Sequence, residues 1–172
     1  MGDPKKQRKK FSKPRHPWQK ERIDSEKTVL QEYGLRRKVE VWKMESLLRS
    51  LLHRAKTLIG EKSEQSETEK KQLLSKLNGL GLLKKDPKIE DVLNLTLKDI
   101  LERRLQTIVQ RKHFAKTMLQ SRQIITHEHV AIGGKKITSP SYLVSVVEEP
   151  DIRLVKAMTL MNQVEQKEAK QE

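Results

Sequence analysis

Residues 102–142 constrain the fold of this chain more than any other segment. Apolar side chains recur at three- and four-residue spacing over about 96–109 and again over about 115–125, which predicts two amphipathic helices. Gly133 and Gly134 follow, between two runs of alternating residues. They predict a β-hairpin, because a tight two-residue turn needs positive φ at both central positions. We therefore expect a helix pair that continues into a hairpin.

The same periodicity predicts more helices in the N-terminal part of the chain. Their ends are marked by Asp24 or Ser25 and Gly34 for the first, Gly60 for the second and Ser63 for the third. The expected elements are helices over about 24–34, 37–59 and 63–79, a helical turn near 89–93, a strand over 142–147 and an acidic helix beyond 155. The expected fold class is mainly helical α+β. Its parts are a basic extended arm (1–22), a helical region (23–95), a helix-and-hairpin module (96–155) and an acidic C-terminal tail (156–172).

The charge of the chain predicts a polyanionic partner. Its 172 residues include 37 Lys and Arg against 23 Asp and Glu, a net charge of +14, and the sequence pI is about 10.0. Nucleic acid and an anionic membrane surface both fit this surplus. No run of 18 apolar residues is present to span a bilayer, and the basic N-terminus lacks the apolar stretch of a signal peptide. The absence of cysteine excludes disulfides and thiolate zinc sites and is compatible with the cytosol.

Residues 1–22 form the expected arm. They hold nine Lys and Arg, two acidic residues and three prolines. Proline and the residue before it favour extended backbone, so we expect no regular element here. Phe11 and Trp18 indicate that the arm binds a partner, because an aromatic ring in a cationic arm can stack on bases or anchor in a groove. The alternative is a solvated tail that keeps the protein soluble.

The sequence lacks the common motifs of catalysis. Its five histidines stand in no HExxH or two-histidine-one-carboxylate pattern, and there is no phosphate loop, dinucleotide-binding glycine motif or nucleophile elbow. His127 and His129 would share a face of an extended segment, but a third metal ligand is missing nearby. One is expected to be structural and the other to reach RNA. We expect no enzyme, no cofactor and no metal.

A cationic surface that also bears amides is left to carry the function. Residues 100–147 hold eight Lys and Arg against Glu102 and Glu128. The planar fork of arginine suits phosphate oxygens, and a helix that begins near Lys116 adds backbone donors. The alternative is that each cation lies on a solvated helix face. The candidate RNA-binding residues of this segment are Arg103, Arg104, Arg111, Lys112, Lys116, Thr117, Gln120, Arg122, Gln123, His127, Lys135 and Lys136.

Several of these residues also resemble a known module. The matching positions are Arg104-Leu105, Phe114-Ala115, Thr117, Gln120, Arg122-Gln123, His127, His129, Gly134 and Pro140-Ser141-Tyr142. Residues 103–147 resemble the S-four RNA-binding domain, which has a helix-loop-helix and a β-hairpin. The segments 14–18, 32–42 and 103–107 are similar to the archaeal and eukaryotic branch of the S-four family of small-subunit ribosomal proteins. This resemblance covers roughly residues 12–150.

The resemblance implies a function. Members of that family are primary binders of small-subunit ribosomal RNA in cytoplasmic ribosomes. They nucleate assembly of the subunit body, border proteins S-five and S-twelve, and take part in decoding accuracy. The second part of the candidate RNA surface comprises Arg15, Trp18, Arg36 and Arg37. Glu128 and Met118 depart from the bacterial pattern, so contacts at these two positions are not expected. The cysteines that hold zinc in some bacterial members are absent.

Two other classes of function are considered. An RNA-modifying enzyme, or its recognition subunit, would need catalytic groups in residues 1–95, where neither a cofactor loop nor an acid/base pair is found. A peripheral membrane protein would need an apolar face in residues 1–22, and these residues lack one. The RNA-binding hypothesis makes a specific prediction: alanine at Arg104, Arg111 and Arg122 together should weaken RNA binding without unfolding the protein.

Overall fold

The fold combines short and long helices with one small sheet. The computed structural model describes residues 2, 9, 11–61, 63–83 and 87–155. The α-helices are α1 (Lys20–Glu32), α2 (Lys38–Gly60), α3 (Glu64–Gly79), α4 (Leu97–Glu102), α5 (Leu105–Arg111) and α6 (Met118–Thr126), with a 3₁₀ helix at Ile89–Asn94 between α3 and α4. The strands are β1 (Val130–Ile132), β2 (Lys135–Lys136) and β3 (Ile152–Leu154). The mainly helical α+β fold class is therefore confirmed.

The long helix α2 organises the N-terminal half. Leu51, Ala55 and Leu58 recur at helical spacing on its buried side and share one core with Leu73 and Leu77 of α3. Burying several such side chains contributes about 1.5–3 kcal/mol each, so this contact fixes α3 along α2. The helix predicted over 37–59 is confirmed to within one residue at each end.

The start of α3 follows the predicted capping residue. The Ser66 N–H donates to Ser63 Oγ at 3.2 Å, and the Ser63 N–H donates to Ser66 Oγ at 3.2 Å. This reciprocal pair satisfies two backbone donors that a helix start leaves unpaired. The predicted helix over 63–79 and the predicted turn near 89–93 are both confirmed.

The start of α1 differs from the prediction. The helix begins at Lys20 instead of near Asp24, so the last three residues of the expected arm are helical. Arg22 holds this first turn in place, because its guanidinium donates to the carbonyls of His16 and Pro17. The sequence pattern indicated a capping residue at position 24, but it did not indicate that the Arg22 side chain would bind the backbone before the helix.

The C-terminal half packs α5 and α6 against a three-stranded antiparallel sheet of order β2-β1-β3. Gly133 and Gly134 have φ values of +54° and +83°, so the predicted hairpin turn is confirmed. Ile132 pairs with Lys135 across the hairpin and with Ile152 of β3 on its other side. Further buried members of this core are Leu105, Ile108, Val109, Ile124, Ile125, Val130 and Val144.

The first helix predicted in this segment is two helices, α4 and α5, which is a correction. Arg104 stands between them with an extended backbone, ψ 141°. The Leu105 N–H donates to the Tyr142 carbonyl, and the Val144 N–H donates to the Arg103 carbonyl. The segment after the hairpin therefore takes hydrogen bonds that a continuous helix would make within itself. The apolar periodicity continues across the break because both helices are buried.

The strand predicted over 142–147 is wrong. Leu143 makes only an isolated bridge with Arg104. Beyond it the chain turns, because the Ser145 N–H and hydroxyl both donate to Glu148 Oε2. The third strand, β3, comes later. The acidic helix expected beyond 155 lies outside the described residues. In the part of the chain that the structure describes, no helix is long and apolar enough to cross a membrane.

Candidate nucleic-acid interface

The helix α6 presents a row of polar and cationic side chains. Thr117 caps it by accepting the Gln120 N–H at 3.2 Å, and Gln120 Oε1 accepts the Lys116 N–H at 2.8 Å. Lys116, Gln123 and His127 are exposed, while Gln120 is half-buried. Ser121, Ile124 and Ile125 are the buried residues of the helix, so these polar side chains are directed away from the core.

The hairpin lies beside the C-terminal end of α6. Lys135 and Lys136 form β2 and are exposed. Lys136 Nζ lies 3.8 Å from a carboxylate oxygen of Glu128, the second residue after α6. The rings of His127 and His129 are stacked, with centroids 6.4 Å apart. In the described part of the chain, no group of three or more potential metal ligands is found, and this pair has no third member.

Two further arginines come from the loop between α1 and α2. Gln106 Nε2 donates to the carbonyls of Tyr33, Gly34 and Met118 at 3.3, 3.2 and 3.0 Å, respectively. These bonds hold the loop against the start of α6, where the exposed Arg36 and Arg37 follow. The name α6 face is used below for Arg36, Arg37, Lys116, Gln120, Gln123, His127, Lys135 and Lys136.

Arg104 and Arg122 are engaged elsewhere. Arg104 Nη2 lies 3.0 Å from Glu40 Oε2, and Arg122 reaches both oxygens of the same carboxylate at 3.1 Å. The backbone N–H of Arg36 also donates to Glu40 Oε1 at 3.3 Å. Glu40, Arg104 and Arg122 are called the Glu40 junction below. They join α2 to α5 and α6.

The environment of Glu40 keeps it ionised. Burial by itself would raise the pKa of Glu40, but the hydrogen bonds and positive charges of Arg122 and Arg104 outweigh burial and lower the pKa below its usual 4.5. The Arg104 side chain is 1% exposed, so it offers no surface to a phosphate. This corrects the expectation that Arg104 is a phosphate contact. Arg122 is 22% exposed and keeps an edge toward solvent.

Three other candidates lie around a separate cavity of about 380 Å³. Arg103 pairs with Glu149 at 2.8 Å, and Lys112 donates to the Glu149 carbonyl. Arg111 pairs with Glu102. Each of these cations has an acidic or carbonyl partner within the protein. The sequence analysis grouped Arg103, Arg111 and Lys112 with the α6 residues in one RNA-binding surface. In the structure they are bound to residues that do not belong to the α6 face.

The described part of the arm lies on α1 and α2. Phe11 packs on Trp42 with ring centroids 6.3 Å apart, and the Ser12 N–H donates to Ser46 Oγ at 3.1 Å. Arg15 and Trp18 are exposed, Trp18 by 90%. The two aromatic residues of the arm therefore differ, since Phe11 anchors it and Trp18 is open to a partner.

Sequence reasoning missed the residues that join the two halves. Glu40 lies 64 residues from Arg104 and 82 from Arg122, and its local pattern is that of an ordinary helix start. Gln106 is 1% exposed, but its neighbours in the sequence include the polar Thr107, so no local pattern marks it as buried. A buried amide needs hydrogen-bond partners, and these come from the loop before α2 and from Met118 at the start of α6.

The chain is similar to known proteins over most of its length. Residues 103–149 match the model of a protein family described as S4 domain. Similar proteins are the small ribosomal subunit protein uS4 of Hyperthermus butylicus, 52% identical over 149 residues (87% of this chain, 85% of the relative), and that of Saccharolobus solfataricus, 50% identical over 150 residues (87% and 83%). The uS4 protein of Ignicoccus hospitalis is 49% identical over 149 residues, covering 87% of this chain and 90% of the relative.

Proposed function

This chain belongs to the uS4 family of small ribosomal subunit proteins, and from that premise we propose that it is a structural constituent of the subunit that binds ribosomal RNA through the α6 face. The observation that carries the proposal is the exposed polar row that Lys116, Gln123 and His127 form along α6. It lies within the S4 domain and continues to the hairpin and to Arg36 and Arg37. The chain is a ribosomal protein and not an enzyme.

The chemistry of the α6 face suits a folded RNA backbone. Lys116, Arg36 and Arg37 make no ion pair with other described residues, so their charges are available to phosphates without breaking a bond inside the protein. Gln123 adds an amide that both donates and accepts, which suits ribose hydroxyls. Because cations on separate elements are held at fixed spacing, the surface recognises the shape of a folded RNA more than the edges of its bases.

The Glu40 junction fixes the positions of the elements that carry this surface. It fixes α2 against α6, and the Gln106 hydrogen bonds fix the loop that carries Arg36 and Arg37. A preorganised surface loses less conformational freedom on binding and therefore binds more tightly. Arg122 takes part in both roles, because its guanidinium holds Glu40 while 22% of its side chain stays exposed beside the α6 row.

The proposal includes the finer role implied for this family. The protein would bind early to small-subunit RNA and nucleate the body of the subunit, within cytoplasmic ribosomes. It would border proteins S-five and S-twelve and contribute to translational accuracy. The +14 net charge supports early binding, because long-range attraction speeds association with RNA.

The test is a comparison of three nucleic acids at matched salt. A ribosomal RNA fragment with a multi-helix junction is expected to bind more tightly than duplex DNA or an unstructured RNA by about tenfold or more, since shape adds to charge. The affinity for all three should fall steeply with salt. Equal affinity for all three would contradict binding by shape and leave only charge.

A role as recognition subunit of an RNA-modification system is not favoured. The similarity to ribosomal proteins covers 87% of the chain, which includes most of the N-terminal half where catalytic groups would have to lie. Incubation with RNA followed by analysis of modified nucleotides tests this directly. No modified nucleotide is expected.

A further inference from the structure

A turn that is both apolar and acidic lies between the hairpin and β3. Residues 145–151, called the valine turn below, include Val146 and Val147, which are 48% and 79% exposed, and three acidic residues without a Lys or Arg. We propose that the valine turn and the cavity beside it bind a basic segment of another protein. An apolar side chain of that segment would cover the two valines, and a Lys or Arg would lie beside Asp151.

The valine turn and the cavity form one surface. Glu149 of the turn lines the cavity of about 380 Å³, together with Gly81 and Leu82. Gly81 also lies against the turn, since a Cβ added to it would be 2.8 Å from Val146 Cγ2. A partner that covers the valines can therefore also place a side chain in the cavity.

The valine turn is held in one shape by hydrogen bonds. The Val146 N–H donates to the Gly79 carbonyl, at the end of α3, at 2.9 Å. The Ser145 N–H and hydroxyl donate to Glu148 Oε2 at 3.0 and 2.9 Å. The two valines are therefore exposed on a fixed turn, and a preformed surface of this kind loses little conformational freedom when a partner binds.

The cations next to the valine turn hold it in place. Arg103 donates to the Val144 carbonyl at 3.0 Å and pairs with Glu149 at 2.8 Å. Lys112 donates to the Glu149 carbonyl. Asp151, by contrast, is exposed and makes no ion pair with other described residues. Its carboxylate is available to a cation of a partner.

The charge of this surface is opposite in sign to that of the whole chain. The chain has a net charge of +14, whereas the described charged residues of the valine turn and the cavity give a net charge of −2. They are Asp99, Glu102, Glu148, Glu149 and Asp151 against Arg103, Arg111 and Lys112. Such a surface repels phosphates and attracts Lys and Arg. A basic protein segment therefore fits it better than RNA does.

The position of the valine turn also separates it from the α6 face. The sheet order is β2-β1-β3, so β2, which belongs to the α6 face, and β3, which follows the valine turn, are at opposite edges. The proposed protein contact therefore does not depend on the binding of RNA by the α6 face.

The valines favour a protein segment over a small cation. A metal ion or a polyamine would satisfy the carboxylates, but it would leave both valines exposed to water. Exposed apolar side chains with polar residues around them are typical of contacts between proteins. The occupant that satisfies both parts of the surface has Lys or Arg next to an apolar residue.

The first test uses the full chain in assembled small subunits. Val147 is replaced by the photoreactive residue benzoylphenylalanine, purified subunits are irradiated, and the crosslinked peptides are identified by mass spectrometry. The expected product is a peptide of another protein in which Lys and Arg outnumber Asp and Glu. The control carries the same replacement at Ile59, an apolar residue of α2 that is 41% exposed, and should not give this product.

Several outcomes of the crosslinking would overturn the inference. A product with RNA would mean that the valine turn faces nucleic acid. A product with another part of this chain, residues 156–172 included, or with a second copy of the chain would identify a different occupant. A product with an acidic segment, or no product at all, would remove the basis for a basic partner.

The second test measures binding of the identified peptide, made synthetically, to the free full chain. Val147→Ser should weaken this binding about tenfold because it removes a buried apolar contact, and Ile59→Ser should leave it unchanged. Asp151→Lys should also weaken it about tenfold at low salt, whereas Asp24→Lys makes the same change in charge on α1 and should have little effect. Thermal melts should be alike, since these four side chains are exposed.

The affinity for RNA distinguishes this inference from the proposed function. Val147→Ser should bind the junction-bearing RNA as tightly as the wild-type protein does, and a loss of that affinity would overturn the assignment of a protein partner. Equal peptide affinity in Asp151→Lys and Asp24→Lys would overturn the role of charge at the valine turn. If the wild-type protein shows no preference for the junction-bearing RNA, the proposed function fails, while the crosslinking and the peptide measurements still decide this inference.

Discussion

The Glu40 junction and the α6 face both contain cationic side chains, but these cations differ in their exposure and in their partners within the protein. At the junction, Arg104 is 1% exposed and shares a carboxylate with Arg122. On the α6 face, Arg36, Arg37 and Lys116 are exposed. What separates the two regions is the presence of a counter-ion, Glu40, supplied by a helix far away in the chain. Arg104 has an internal partner and helps to hold the fold together, whereas Arg36, Arg37 and Lys116 have no ion pair with other described residues and are proposed to bind RNA.

The largest effect is expected from removing that counter-ion. Glu40→Ala would leave the guanidinium of Arg104 buried without its carboxylate, and breaking a buried ion pair from one side costs about 3 kcal/mol or more. The free energy of unfolding, measured by denaturant titration, should fall by about that amount. Glu45→Ala makes the same change in charge and helix propensity on the same helix and should cost less than about 1 kcal/mol.

The same reasoning revises the expectation for the three arginines. Alanine at Arg104, Arg111 and Arg122 together removes two members of the Glu40 junction, so a loss of stability is now expected to accompany any loss of RNA binding. If Glu40→Ala were as stable as Glu45→Ala, the junction would not be what joins α2 to α6.

A smaller loss of stability is expected at the loop between the two regions. Gly34 has φ +57°, and a Cβ there would lie 2.7 Å from the Cβ of Met118. Gly34→Ala combines backbone strain of about 1 kcal/mol with this clash, so it should destabilise the protein by about 2 kcal/mol. It should also displace Arg36 and Arg37 and weaken RNA binding.

Two other glycines separate strain from clash. Gly133 has φ +54°, but a Cβ added there would meet no atom within 4 Å, so Gly133→Ala should cost only the strain, about 1 kcal/mol. Gly60 ends α2 with open space around it, and Gly60→Ala should cost nothing. Equal costs at Gly34 and Gly133 would mean that the contact with Met118 does not hold the loop.

The α6 face should show the reverse behaviour. Arg36→Gln, Arg37→Gln and Lys116→Gln together should weaken binding to the junction-bearing RNA about tenfold, which corresponds to about 1.4 kcal/mol. The stability of the protein should not change, because these cations hold nothing in the fold. The control is Arg54→Gln, Lys56→Gln and Lys71→Gln, which removes three exposed cations from α2 and α3. A control that loses as much affinity would show that net charge alone binds the RNA.

The elements of this fold that depend on local signals could be predicted. The glycine pair at 133–134 indicated the hairpin through its need for positive φ, and Ser63 indicated the start of α3. The shared face of Lys116, Gln120 and Gln123 followed from helical spacing. In each case the physical cause lies within a few residues of the signal.

The remaining features depend on contacts between distant segments. The break at Arg104 exists because the Tyr142 carbonyl accepts the Leu105 N–H. Glu40 pairs with Arg104, which directly precedes α5, and with Arg122 of α6. Helical periodicity is the same on both sides of that break, so it indicates neither the break nor the ion pairs with Glu40.

The smallest expected effect is the pH dependence of the Glu40 junction. The pKa of Glu40 in the folded protein is lowered below 4.5, its ordinary value, which applies to the unfolded chain. The junction therefore contributes its full stability above about pH 4.5 and loses it as the pH falls through the lowered pKa of the folded state. Between pH 5 and pH 3 the wild-type protein should lose more stability than Glu40→Ala, because the variant lacks this carboxylate.

Glu148, whose pKa is lowered by the Ser145 N–H and the Tyr142 hydroxyl, contributes equally to both proteins. Parallel stability curves for the two proteins over this range would mean that Glu40 titrates alike in the folded and unfolded states, and the distinction between paired and free cations would then need another basis.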